Sequence, residues 1–130
     1  ETKTGTDIYQ EMEDKLAIPL GFQDWDIRSQ RKQYNKRKSR YPAYHMHISV
    51  RDMAKIGQLM LNKGKWNGEQ LIPETWINTV TQPVTSVEEI NERYGRTEDS
   101  PYQLSYSHMW WLVDNFKQHP DFEGAFSTTA

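Results

Sequence analysis

The run Ser49-Val50-Arg51-Asp52-Met53-Ala54-Lys55-Ile56-Gly57-Gln58-Leu59-Met60-Leu61-Asn62-Lys63-Gly64-Lys65-Trp66-Asn67-Gly68 constrains the fold more than any other part of the chain. Ser49 is a good N-cap, because its hydroxyl can accept from a free N–H of the first turn. Asp52, three residues on, completes a capping-box-like pattern. Val50, Met53, Ala54, Gly57, Met60 and Leu61 recur at helical spacing and predict one apolar face. Gly64 suits the left-handed residue after the helix end. Asn67-Gly68, between Lys65-Trp66 and Gln70-Leu71-Ile72, predicts a tight two-residue hairpin. Pro73 then opens a short helix carrying Trp76, Ile77 and Val80.

The flanking segments are read more coarsely. Asp7 to Leu16 has a helical face of Ile8, Met12 and Leu16, and Ile18-Pro19-Leu20-Gly21-Phe22 ends it as an apolar turn. Asp24 to Tyr44 is polar and reads as irregular. Thr81 to Gln103 is a long connection in which Ser86-Val87-Glu88-Glu89 opens one helical turn. Leu104 to Asp114 has strand character. Trp110 and Trp111 within it point to opposite faces. Asn115 to Asp121 turns, and Phe122 to Thr128 is the paired strand. The expectation is a mainly α chain with a short C-terminal antiparallel β pair, in one partial domain over residues 1–130. Within it, 1–103 form a helical subdomain and 104–130 the returning strands of a sheet. A two-stranded edge is marginal alone, so the chain is expected to be a piece of a larger domain. Self-association through its exposed strands is a further expectation.

Composition narrows the chemistry. The chain has 130 residues, enough for one modest core. It has no cysteine, which removes disulfides, thiol nucleophiles and thiolate metal sites. The net charge of -2 gives no global pull toward nucleic acid or membrane, and no nucleic-acid partner is expected. That charge is uneven: Glu1 to Asp26 is acidic, whereas Arg28 to Arg40 holds seven basic residues and no acidic one. With Tyr34 and Tyr41 interleaved, this stretch resembles a polyanion-binding patch, although a like-charged run is more often a solvated loop.

Several blocks in order resemble one family. Thr4-Gly5, a helix and then Pro19-Leu20-Gly21-Phe22 look like the helix after the second active-site motif of the serine β-lactamase, penicillin-binding-protein and class C-like esterase family, a helix that ends there in Pro-Leu-Gly-Met. Ser49 to Trp76 resembles the stretch that follows the active-site entrance. Tyr106-Ser107-His108-Met109-Trp110-Trp111-Leu112 and Phe122-Glu123-Gly124-Ala125-Phe126-Ser127 resemble two strands leading to the third motif. The small residues expected before the helix are replaced by Tyr44-His45-Met46-His47.

The resemblance implies a segment of the α+β β-lactamase/transpeptidase-like fold. Its parent would act on a β-lactam, a peptide amide or an ester through an acyl-serine intermediate. The Ser-x-x-Lys and Tyr-x-Asn motifs fall outside this chain, so no catalytic residue is expected in it, and no cofactor. Its partners would be the rest of the hydrolase domain and a small acyl substrate or cell-wall peptide, in the periplasm, the cell envelope or outside the cell. A non-catalytic binding or sensor module of the same fold is the alternative, and a polyanion-binding domain through Arg28 to Arg40 a weaker one.

The candidate cleft residues are Tyr44, His45 and His47, placed near the entrance by that analogy. His45-x-His47 lacks the ligand count of a metal site, so no metal is expected. Two further motifs match catalytic patterns only in form. Ser29-Gln30-Arg31-Lys32 lies in the most basic and least apolar stretch, where no burial lowers a lysine pKa. Lys3-Thr4-Gly5 precedes a helix instead of forming a sheet-edge strand.

Overall fold

A computed structural model describes residues 5–95 and 103–113. The architecture is mixed α/β, and the described residues form three separate antiparallel two-stranded sheets. The chain divides into two compact units, one to Pro73 and one from Glu74.

In the first unit, Asp7 caps α1 (Ile8–Met12) by accepting the Tyr9 N–H. The helix does not stop at Leu16. It continues through a π-helical stretch, Glu13–Ala17, into α2 (Ile18–Leu20). Pro19 has no N–H to donate, and the ladder ahead of it widens to the i→i+5 pattern. Gly21, at φ 63°, ends the helix. A short 3-10 turn (Ile27–Ser29) follows, with Asp26 as its cap.

The stretch expected to be irregular contains a hairpin. β1 (Arg31–Gln33) pairs with β2 (Ala43–His45) in the register Arg31↔His45, Lys32↔Tyr44, Gln33↔Ala43. Its supports are tertiary. Tyr9 is buried, its hydroxyl donates to the Arg31 carbonyl at 2.6 Å, and its ring meets the Tyr44 ring edge-on at 5.9 Å. No local alternation announces such a strand.

α3 (Val50–Leu61) has Ser49 as its N-cap, as expected. The face it buries is not the expected one. Asp52 and Leu59 are fully buried and Lys55 and Ile56 partly so, whereas Val50, Met53 and Leu61 are exposed. The buried side is the one that carries Asp52, whose carboxylate bonds to the turn after α2.

The helix ends in a Schellman motif: Gly64 N–H donates to the Leu59 carbonyl and Lys63 N–H to that of Met60. The left-handed residue just past the cap is Lys63, at φ 54°, with Gly64 following at φ 82°. Gly64 is glycine for a different reason. A Cβ there would stand 2.0 Å from the Ile72 carbonyl oxygen. β3 (Lys65–Trp66) and β4 (Glu69–Gln70) pair around Asn67-Gly68, both at positive φ, which is the predicted hairpin.

In the second unit, α4 (Glu74–Val80) buries Ile77 and Val80. α5 (Val87–Tyr94) is longer than the single predicted turn. Ser86 and Glu89 form a full capping box at its start, and Gly95 ends it at φ 61°. Leu104 to Val113 is not one strand but a hairpin. β5 (Leu104–Ser107) pairs with β6 (Trp110–Val113). The turn is His108-Met109, with Met109 at φ 70°. A two-residue turn without Gly or Asn carries no sequence signal. Thr85 bridges to Tyr106. The C-terminal antiparallel pair is therefore present, but within residues 104–113, and the strand expected over 122–128 lies outside the described residues. Trp110 and Trp111 are both exposed, and Trp111 packs on Tyr106 at 4.8 Å between ring centroids.

Candidate functional site

The residues singled out as cleft candidates sit on and just after β2, and the strand separates them. Successive side chains of a strand point to opposite faces. Tyr44 turns toward Tyr9 and is half-buried. His45 lies on the other face, exposed, with Nε2 3.0 Å from Gln33 Oε1. His47 follows the strand, and its Nδ1 donates to the Ser29 carbonyl at 2.9 Å. Gln30 clamps the His47 backbone from both sides: its Oε1 accepts the His47 N–H at 2.8 Å and its Nε2 donates to the His47 carbonyl at 3.2 Å. His47 thus ties the end of β2 to the 3-10 turn. Its Nε2 and the Nδ1 of His45 are the ring atoms left for a ligand. No group of three potential metal ligands occurs among the described residues.

The formal catalytic matches have other uses. The Ser29 hydroxyl donates to the Asp26 carbonyl at 2.7 Å and accepts from Gln30 Nε2 at 3.0 Å. Lys32 lies on a different element, its ammonium 5.5 Å from the centre of the Tyr44 ring. Ser29 and Lys32 are not on one helix face, which a Ser-x-x-Lys pair requires. Of Lys3-Thr4-Gly5, the first two lie outside the described residues. In the second unit, Ser107 Oγ and His108 Nδ1 are 3.0 Å apart. Ser107 is fully buried, so its hydroxyl is closed to a substrate, and the His108 ring stacks edge-on against Trp76 at 5.5 Å.

At the start of α3 stands a buried carboxylate whose bonding the sequence did not disclose. Asp52 N–H donates to Ser49 Oγ at 3.1 Å, as a capping box demands. The carboxylate does not reach back to the Ser49 N–H to close the box. Instead Oδ1 accepts the Gln23 N–H and Oδ2 the Asp24 N–H, both at 2.9 Å. Lys55 stands 3.7 Å from Oδ1 and also donates to the Gly21 carbonyl. Burial pushes the Asp52 pKa up. The two backbone N–H groups, the Lys55 charge and the Ser49 hydroxyl as a donor to the carboxylate together outweigh it, so the carboxyl lies below its ordinary range. Asp52 is thus an ionised staple between α3 and the turn after α2. At the rim of the same turn, Trp25 Nε1–H donates to Glu13 at 2.8 Å, and Arg51 donates to Gln23 at 2.9 Å.

Charge on the hairpin is one-sided. The hydrogen-bonded Arg28 guanidinium holds Asp26 below the usual carboxylate range, so Arg28 is neutralised locally. Every residue from Arg31 to Tyr41 is exposed. Among the described residues, no ion pair involves Lys36, Arg37, Lys38 or Arg40. Comparison of the chain with protein-family models, curated proteins and solved structures gives no match.

Proposed function

We infer that this chain is a scaffold segment of a serine hydrolase of the β-lactamase, penicillin-binding-protein and class C-like esterase type. The parent acts on a β-lactam, a peptide amide or an ester through an acyl-serine intermediate, and its nucleophile and base lie outside residues 1–130. The observation that carries this reading is the stretch from Ser49 to Trp76, which resembles the family over a capped helix, a glycine stop and an Asn-Gly hairpin. In support, the literal Ser-x-x-Lys at Ser29 and Lys32 is split between a 3-10 turn and a strand, so this chain offers no competing nucleophile there. His45 and His47 are the cleft-facing candidates, since each keeps one ring nitrogen for a substrate. Tyr44 holds the strand in place through Tyr9. The setting is the periplasm, the cell envelope or the exterior, and no cofactor takes part.

Fold resemblance does not by itself fix an activity, so the test is chemical. The isolated chain and the product of the whole source gene are treated with a fluorophosphonate and with a penicillin and read by intact mass. The expected result is no adduct on the chain and one adduct on the full product, at a serine outside residues 1–130. An adduct at Ser29 overturns the reading. A full product that lacks the upstream serine or lysine, and takes no label, replaces it with the non-catalytic binding module.

A further inference from the structure

The tip of the β1–β2 hairpin, residues 34–42, is an ordered loop rather than a loose basic run. Asn35 organises it: its Oδ1 accepts the Arg37 N–H, and its carbonyl accepts the N–H groups of Lys38 and Ser39, all at 3.0 Å. Ser39 Oγ accepts the Tyr41 N–H at 3.0 Å, and the Tyr34 hydroxyl straps the loop by donating to the Arg40 carbonyl at 3.2 Å. The result is a tight turn that presents Lys36, Arg37, Lys38 and Arg40 with no carboxylate among them. Two tyrosines flank these cations, Tyr34 at 51% and Tyr41 at 60% exposure. Each ring carries one of the cations: Lys36 over Tyr34 at 5.9 Å and Arg40 over Tyr41 at 5.8 Å.

We propose that this hairpin tip docks peripherally on an anionic lipid surface. The tyrosines sit at headgroup level, where amphipathic rings are favoured, and the four cations meet the lipid phosphates. Compactness decides for a surface over a linear polyanion. A single-stranded nucleic acid is held in a charged groove that tracks its backbone, whereas these four cations fall within residues 36–40 at the end of a hairpin. A surface needs only the tip. At physiological ionic strength fields die out within about 8 Å, so the net charge of -2 does not prevent local attraction. No described helix is long and apolar enough to cross a membrane; the docking uses surface contacts alone and is independent of the hydrolase reading.

The test is co-sedimentation of the full chain with phosphatidylcholine vesicles, with and without phosphatidylglycerol. Binding is expected only to the anionic vesicles and is expected to vanish in high salt. Each cation neutralised, in the series K36Q, R37Q, K38Q and R40Q, weakens partitioning about fivefold. Tyr41→Ala, which alters no charge, weakens it further. The exposed positions leave the fold intact, as circular dichroism of each variant checks. Equal binding to neutral vesicles, no binding to either kind, or unchanged binding of the fourfold variant overturns the proposal. So does tighter salt-sensitive retention by heparin or single-stranded DNA than by anionic vesicles, which assigns the tip to a linear polyanion.

Discussion

The carboxylate of Asp52 accepts the backbone N–H of Gln23 at 2.9 Å, across 29 residues of sequence. With the matching bond to Asp24, it joins the first turn of α3 to the exit of α2. A carboxylate with both oxygens engaged in this way is a fixed crosslink between two elements whose order in the sequence gives no hint of contact.

Stability should follow the ionisation of that group. Its folded pKa lies below its ordinary value. Ionised Asp52 therefore stabilises the fold in full above its unfolded value of about 3.9, and the contribution is lost as pH falls through the lower folded value. Asp52→Asn is expected to lower the urea midpoint at neutral pH and to flatten its decline in acid. Asparagine turns an amide N–H₂ toward one of the two backbone donors, so the loss should exceed that of Ser49→Ala, about 1 kcal/mol for a helix cap. Urea titrations across the acid range check both points. Parallel acid limbs for wild type and Asp52→Asn would remove Asp52 from the account.

Two adjacent positive-φ residues end α3, and they should respond in opposite directions. Gly64 faces the Ile72 carbonyl so closely that a Cβ has no room, and its φ of 82° is adverse for any side chain. Gly64→Ala is expected to cost about 2–5 kcal/mol, from backbone strain plus overpacking. Lys63 already bears the left-handed cost as a non-glycine at φ 54°. Lys63→Gly should relieve it and stabilise by about 0.5–1 kcal/mol. Thermal melts of the two variants against wild type decide the matter, and a stabilised Gly64→Ala would refute the close approach.

Legibility in the sequence followed the range of the interactions. The cap at Ser49, the α3 helix and the Asn67-Gly68 turn are local chemistry, and the sequence announces all three. The identity of the buried face of α3 is not local. Val50 and Met53 have the right period, yet they are exposed, while Asp52 is buried through bonds to another segment. Gly64 was recognisable as a stop, but its neighbour Ile72 is brought near only by the intervening hairpin. The β5–β6 turn was hidden because His108-Met109 has none of the usual turn residues. Of the candidate site, the histidine pair was visible as a motif. Its division between a strand face and a clamp on Ser29 and Gln30 depends on the β1–β2 register.

That register rests on Tyr9. The ring packs against Tyr44, and the hydroxyl donates to the Arg31 carbonyl at 2.6 Å from a buried position on α1. Tyr9→Phe keeps the ring and removes the donor, leaving the Arg31 carbonyl one bond short. The expected cost is about 1 kcal/mol, concentrated in the hairpin because its strands are three residues each and exposed. Amide exchange at the ladder-bonded positions of β1 and β2 should quicken, while that of Met60 and Leu61 in α3 should not, since short exposed elements open separately from the core. If anionic vesicle binding depends on a preset tip, it should fall in this variant although every charge is retained. Uniform acceleration of exchange across both elements would instead make Tyr9 a support of the whole unit and not of the hairpin.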